Sequence, residues 1–228
     1  MKHITGFDFE NIYRNCVYSM SIHIASCVRL PYIQFEKNWE NNLFSIQDYA
    51  GTEGTIYFDR AHRVVVGAFR NLQSDRMRLY PDYDAISLFN SATPESISIA
   101  QTQVFDYLLT SVRKKSFFGH KIITLPIVTT CIWSEHDDIY SCDNITAFVK
   151  NGGNFVYDFS GTFDSIKMRL LEYYEPTLSE IECAMLLYKA KLSDQPQISK
   201  HATEDLNSTY ATCSEFWEAV EAFGITII

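Results

Sequence analysis

Two runs of branched and aromatic residues stand out along the chain. Gly54-Thr55-Ile56-Tyr57-Phe58 and Arg63-Val64-Val65-Val66-Gly67-Ala68-Phe69 flank the polar segment Asp59-Arg60-Ala61-His62. Branched and aromatic side chains suit a pleated surface, and a short polar break between two such runs is a turn, so a hairpin is predicted over residues 54–70. Its second run is apolar at nearly every position, which places it inside a sheet with both faces covered. Lys121 to Trp133 is a second run of this kind, carrying Ile122, Ile123, Leu125, Ile127, Val128, Cys131 and Ile132. It predicts a buried strand over 121–133, with Pro126 at an edge or a bulge because proline cannot donate to a ladder.

Elsewhere the period lengthens to three or four. Ile97, Ala100, Val104, Leu108 and Val112 draw one stripe, and Thr93-Pro94-Glu95 supplies a cap, a first-turn proline and a first-turn acid, predicting a helix over 94–112. A helix over 162–175 follows from Phe163, Ile166, Leu170 and Tyr173 or Tyr174, stopped by Pro176. Thr177-Leu178-Ser179-Glu180 has the spacing of a capping box and opens a helix over 178–192. A last helix over 214–223, capped near Ser214 and ended by Gly224, buries Phe216, Val220 and Phe223.

Three segments are less regular. Phe9, Ile12, Tyr13 and Cys16 have helical spacing, whereas Tyr18, Met20, Ile22 and Ile24 alternate with smaller or polar residues, predicting a short helix that runs into a strand before Pro31. Asp143 to Lys150 reads as a short helix stopped by Asn151-Gly152-Gly153, with Phe155 to Phe159 returning as a strand. Ser193 to Asn207 is polar enough for a linker. The sum is an α+β fold, mostly antiparallel sheet packed by several helices, in a single domain over 1–228 with residues 162–228 as a candidate helical subdomain.

Charge narrows the choice of partner. Asp and Glu number 28 against 19 Lys and Arg, a formal charge of −9. Direct nucleic-acid binding needs a dense cationic surface and is disfavoured; the natural partner of an acidic surface is cationic. A 46% hydrophobic fraction with 16 Phe and 14 Tyr is ample for a core. The acidic start Phe7-Asp8-Phe9-Glu10 resembles no export signal and no apolar run suggests a membrane span, so a cytoplasmic protein, monomer or weak dimer, is expected. Six cysteines without a C-x-x-C pair fit reduced, mostly buried thiols.

The densest polar cluster is Ser134-Glu135-His136-Asp137-Asp138, with Cys142 and Asp143 beyond it. One histidine among carboxylates admits a hard cation, a general base or an acidic binding loop, but consecutive loop residues rarely converge on one ion and no metal-ligand spacing is present. No cysteine sits in a recognisable nucleophile signature, and the glycines of Gly51-Thr52-Glu53-Gly54 and Gly152-Gly153 match no phosphate loop. No metal, cofactor or catalytic residue is therefore assigned. Arg63, Arg70, Arg76 and Arg78 are expected to pair internally with acids.

Taken together, Trp39, Asp48-Tyr49-Ala50-Gly51-Thr52-Glu53-Gly54, Val65-Val66-Gly67-Ala68-Phe69-Arg70, Ser74-Asp75-Arg76, Thr129-Thr130-Cys131-Ile132-Trp133-Ser134 and Glu172-Tyr173-Tyr174 resemble bacterial immunity proteins of polymorphic-toxin and contact-dependent growth inhibition systems. The resemblance covers about a third of the chain and rests on framework patterns. It implies an antidote that binds a cognate toxin domain, often a cationic nuclease, and covers its active site without reaction. The contact residues expected on that reading are Glu135, Asp137 and Asp138, then Asp82, Tyr83 and Asp84. Two other classes stay open: a small enzyme with no motif, marked by Glu135, His136 and a cysteine converging in a pocket, and a generic binding scaffold.

Overall fold

A computed structural model of the chain describes residues 2–4, 6–79, 84–116, 119–206 and 208–228. The fold is α+β. Among the described residues, the strands in chain order are β1 Lys2–His3, β2 Lys37–Glu40, β3 Leu43–Gln47, β4 Thr52–Asp59, β5 Val64–Asn71, β6 Leu109–Ser116, β7 Gly119–Pro126, β8 Thr130–Glu135 and β9 Asp138–Ser141, followed by the short parallel pair β10 Gln197–Ile198 and β11 Thr226–Ile227. Seven form one antiparallel sheet in the order β1-β9-β8-β5-β4-β3-β2, and β6 and β7 form a separate hairpin. The chain divides into two compact units, one of Met1–Phe9 with Ser45–Asp158 and one of Glu10–Phe44 with Phe159–Ile228.

In the first unit β4 and β5 pair from Thr52↔Asn71 to Asp59↔Val64, and β5 lies between β4 and β8. That interior place is the one its apolar run demands, and Val65, Val66, Ala68 and Phe69 are all fully buried. Gly54 faces Phe69, whose ring lies where a Cβ on Gly54 would sit, 2.3 Å from Cδ1. The core is aromatic. Phe89 packs on Trp133 and Phe105 at 6.0 and 5.9 Å, and Phe69 meets Phe148 edge-on at 5.8 Å, geometries that the ring quadrupoles favour.

The second unit packs the 19-residue helix Phe9–Cys27 (from Glu10 onward) with helices Phe163–Tyr174, Leu178–Leu192 and Ser214–Ala222. Thr177 and Glu180 form the expected capping box, and Thr162 caps the helix before it. That helix ends on Glu175 in the left-handed region, φ 44°. Trp39 stacks among Tyr13, Phe44 and Phe223 at 6.1, 5.4 and 5.4 Å.

Five expectations are corrected. The helix starting at Phe9 runs unbroken to Cys27, with no strand over Tyr18 to Ile24. Over residues 15–26 it is buried on every side, Ser19, Ser21, His23 and Ser26 included, so that part has no polar face to reveal the helical period. The helix from Pro94 widens to a π-helical turn over Ala100–Val104, tightens to a 3-10 turn over Phe105–Leu108 and gives way at Leu109, where β6 begins, so Val112 is a strand residue. Lys121 to Trp133 is two strands rather than one. β7 ends at Pro126, which supplies no ladder donor, and its face is exposed, Ile122 included; β8 then enters the main sheet. Asn151-Gly152-Gly153 does not stop the helix that follows the Asn144 cap. Gly152, at φ 112°, lets the chain bend and continue into helix Asn154–Phe159, which replaces the expected strand. Any Cβ there would also press on the Arg70 backbone at 3.2 Å. The polar stretch from Ser193 carries a short strand, Gln197–Ile198, and a helix, Lys200–Glu204.

Candidate functional site

Two hairpin tips meet at one end of the first unit. The β8–β9 turn places Glu135 opposite Asp138, with His136 and Asp137 both at positive φ, 51° and 71°. A two-residue turn of this hand matches the twist of the strands but normally uses Asn-Gly, so a His-Asp pair holds it under strain. The β4–β5 tip carries Arg63, also at positive φ, 55°. Arg63 Nε donates to Asp137 Oδ1 at 2.5 Å and ties the tips together. His62 leans back on Asp59, Nδ1 to Oδ2 2.8 Å, and that bond raises the imidazole pKa and lowers that of the carboxyl.

Between these tips and the capped start of helix Pro94–Ile99 lies a groove of about 410 Å³, lined by His62, Arg63, Thr93, Glu95, Ser96, Ser134, Glu135, His136 and Asp137. Thr93 accepts from the Ser96 amide and fixes Glu95 in the first turn at the groove edge. The arrangement gathers three carboxylates, Glu95, Glu135 and Asp137, around one guanidinium that is already engaged. It suits a cationic group presented from outside.

Of the expected contact residues, Glu135 and Asp137 line this groove. Asp138 sits on the same hairpin but does not line it; its carboxylate lies 3.4 Å from His3 Nε2. Asp84 is exposed but is used locally, accepting the Ile86 amide at 3.1 Å to cap the turn Ala85–Phe89. Asp82 and Tyr83 lie outside the described residues. No cysteine lines the groove, so Glu135, His136 and a thiol do not converge there. Among the described residues no group of histidines, cysteines and acids is arranged to hold a metal ion, and no helix is long and apolar enough to cross a membrane.

All four arginines pair as expected. Arg63 meets Asp137, Arg70 meets Glu53 at 2.5 Å, Arg76 meets Asp143 and Arg78 reaches Asp75 at 3.7 Å. Beside Arg76, Cys142 is half-buried, with Asp143 Oδ2 at 3.5 Å and Thr130 Oγ1 at 3.8 Å. A bond from the Cys131 thiol lowers its pKa to about 7 against the opposing effects of burial and of Asp143.

A second constellation was missed by sequence reasoning and lies in the second unit. A cavity of about 550 Å³ is bounded by the C-terminal part of helix Phe9–Cys27, the start of β2 and helix Ser214–Ala222. Its walls include Met20, Ile24 and Phe216, and its polar floor includes His23, Cys27 and Lys37. His23 is 2% and Lys37 8% exposed. Lys37 Nζ donates to the Tyr174 hydroxyl at 2.6 Å and lies 4.8 Å from the centre of that ring. The Tyr174 hydroxyl in turn meets His23 Nδ1 at 3.0 Å, and His23 Nε2 lies 3.5 Å from Cys27 Sγ.

Burial lowers the Lys37 ammonium to about 8, with Glu36, Cys27 and Cys16 opposing it. Burial, then Lys37, lowers His23 to about 3, so the ring is neutral and accepts the Tyr174 proton at Nδ1. Cys27 is pushed up to about 12, chiefly by burial, and remains a thiol. Two signals pointed here. In β2 the period of two puts Lys37 on the same face as Trp39, and a continuous helix puts Asn15, Ser19, His23 and Cys27 on one stripe at four-residue spacing.

Compared with protein-family models, with curated proteins and with solved structures, the chain has no match.

Proposed function

We propose that the protein is an immunity protein: it binds a cationic toxin domain, for which a nuclease is the leading class, and blocks it by occupying or covering the active site. The single observation that carries this reading is the convergence of Glu135 and Asp137 of the β8–β9 hairpin with Glu95 of helix Pro94–Ile99 onto one groove. Nucleases that grip phosphates present lysines and arginines around their substrate cleft, and a preset ring of carboxylates mimics that substrate's charge. The net charge of −9 steers the approach of a basic partner, raising the on-rate at low salt. An interface of ordinary size, about 800 Å² per partner, extends well beyond the groove and includes neighbouring aromatic and acidic residues.

The experiment pairs the chain with a basic toxin domain, taken from a neighbouring gene where one encodes it. Co-purification, rescue of growth and a Kd that weakens with salt are expected. Simultaneous replacement of Glu95, Glu135 and Asp137 by lysine is expected to abolish rescue; unchanged affinity and rescue by the triple variant would remove the groove from the interface.

A further inference from the structure

We infer that the cavity of the second unit is a binding site for a small, uncharged, apolar aldehyde or ketone, held covalently as an imine of Lys37. The inference is independent of the acidic groove and concerns a different ligand class. Three observations carry it. The cavity is large enough for a molecule of several carbon atoms, and Met20, Ile24 and Phe216 give it an apolar side, beside the polar Gln34 and Asn38, on which a hydrocarbon chain can rest. Its floor holds an amine at 8% exposure whose observed acceptor is a neutral phenol hydroxyl, so no carboxylate is bonded to it to fix the positive charge. Its neighbour Glu36 is engaged elsewhere, accepting the Tyr173 hydroxyl at 2.9 and 3.0 Å.

Desolvated lysines of this kind serve as nucleophiles toward carbonyl carbon. The other groups facing Lys37 do not compete. Cys16 and Cys27 are held as thiols by burial, His23 is neutral, Tyr174 is held as the phenol, and Cys213, Glu215 and Glu218 line the cavity from the last helix. Exposed Glu215 and Glu218 also make the entrance unfavourable to anions, which selects a neutral carbonyl compound.

The step balances without an oxidant or reductant. The Nζ lone pair of neutral Lys37 adds to the carbonyl carbon while the C=O π pair moves to oxygen, and one amine proton transfers to that oxygen to give a carbinolamine. The C–O bond then breaks as the nitrogen pair forms C=N, and the second amine proton leaves with the oxygen as water. The Tyr174 hydroxyl, with its own proton directed at His23 Nδ1, presents its oxygen to Nζ and orients it.

The test incubates the full chain with hexanal or benzaldehyde and sodium cyanoborohydride at pH 8, then maps the secondary amines by peptide mass spectrometry. With Lys37 near 8 and an exposed lysine near 10.4, the neutral fractions differ by about a hundredfold, so Lys37 is expected to be trapped at least ten times faster than any surface lysine. Pyridoxal phosphate, an anionic aldehyde, is expected to label Lys37 poorly. Ala219→Phe, which fills the cavity while leaving Lys37 in place, is expected to suppress trapping at Lys37 and leave surface labelling unchanged. Labelling spread over the surface lysines, or trapping at Lys37 that Ala219→Phe does not reduce in a folded variant, would overturn the inference.

Discussion

Arg76 grips Asp143 through both carboxylate oxygens, Nη1 to Oδ2 at 2.8 Å and Nη2 to Oδ1 at 2.6 Å. Burial alone would push this carboxyl up, but the Arg76 and Thr130 bonds outweigh it and hold the pKa below its ordinary value. Arg76 also donates to the Thr129 carbonyl at 2.5 Å, so the pair ties the turn at Asp75 to the strand at Thr130. Replacing Arg76 by methionine leaves a buried charge with one hydroxyl donor, and a loss of about 3 kcal/mol is expected from urea midpoints. Asp143 contributes stability above its unfolded pKa that is lost as pH falls through its lowered folded value. The variant is therefore expected to have a shallower acid-side fall in stability than the wild type, and an identical acid profile would show that the pair contributes nothing.

The strained turn at His136-Asp137 opposes stability to binding. The double change His136→Asn, Asp137→Gly installs residues that accept positive φ, and a gain of about 1 kcal/mol is expected even after loss of the exposed Arg63 pair. On the proposed function the same variant binds the toxin domain more weakly, because a groove carboxylate is gone. Calorimetry and toxin titration on one sample check both directions; tighter binding would argue against the groove.

Lys37 should make stability rise with pH over an unusual window. Its folded pKa of about 8 lies below the unfolded value of 10.5, so between those limits the unfolded chain binds more protons and folding gains as pH increases. The full change is about 3 kcal/mol. Lys191, also lowered to about 8 by burial, adds a slope of the same sign. The difference between wild type and Lys37→Met isolates Lys37, and denaturant midpoints at pH 7.5, 9 and 10 are expected to converge on the variant's as pH rises. Parallel curves would contradict the assignment.

Among the six cysteines, Cys142 should be alkylated first. The Cys131 thiol stabilises its thiolate and it is partly accessible, whereas burial raises Cys16, Cys27, Cys131 and Cys183. Iodoacetamide at pH 8, followed by peptide mapping, is expected to give Cys142 as the first site, and prior labelling of any other cysteine would contradict this. With its pKa lowered to about 7, Cys142 should keep about half of its pH 8 rate at pH 7, and a fall approaching tenfold would refute the lowered pKa.

Local physics made much of the framework legible. The β4–β5 hairpin followed from branched residues around a polar tip, the Thr177–Glu180 box from side chains three residues apart, and the interior place of β5 from its unbroken apolar run. The errors share a cause. Helix Phe9–Cys27 is enclosed on all sides over residues 15–26, so alternating small and large residues mimicked a strand there. The break after Pro126 depended on which strand was free to pair with Leu109–Ser116.

The sequence by itself determined that these acids and arginines exist, that the turn after Ser134 is polar and that the chain builds an antiparallel sheet with capped helices. Only the tertiary structure decided which charges meet. Arg63 finds Asp137 74 positions away, and Lys37 finds Tyr174 137 positions away. Such encounters carry no local periodicity, because they are chosen by how buried surfaces pack and by the cost of leaving a buried polar group unpaired.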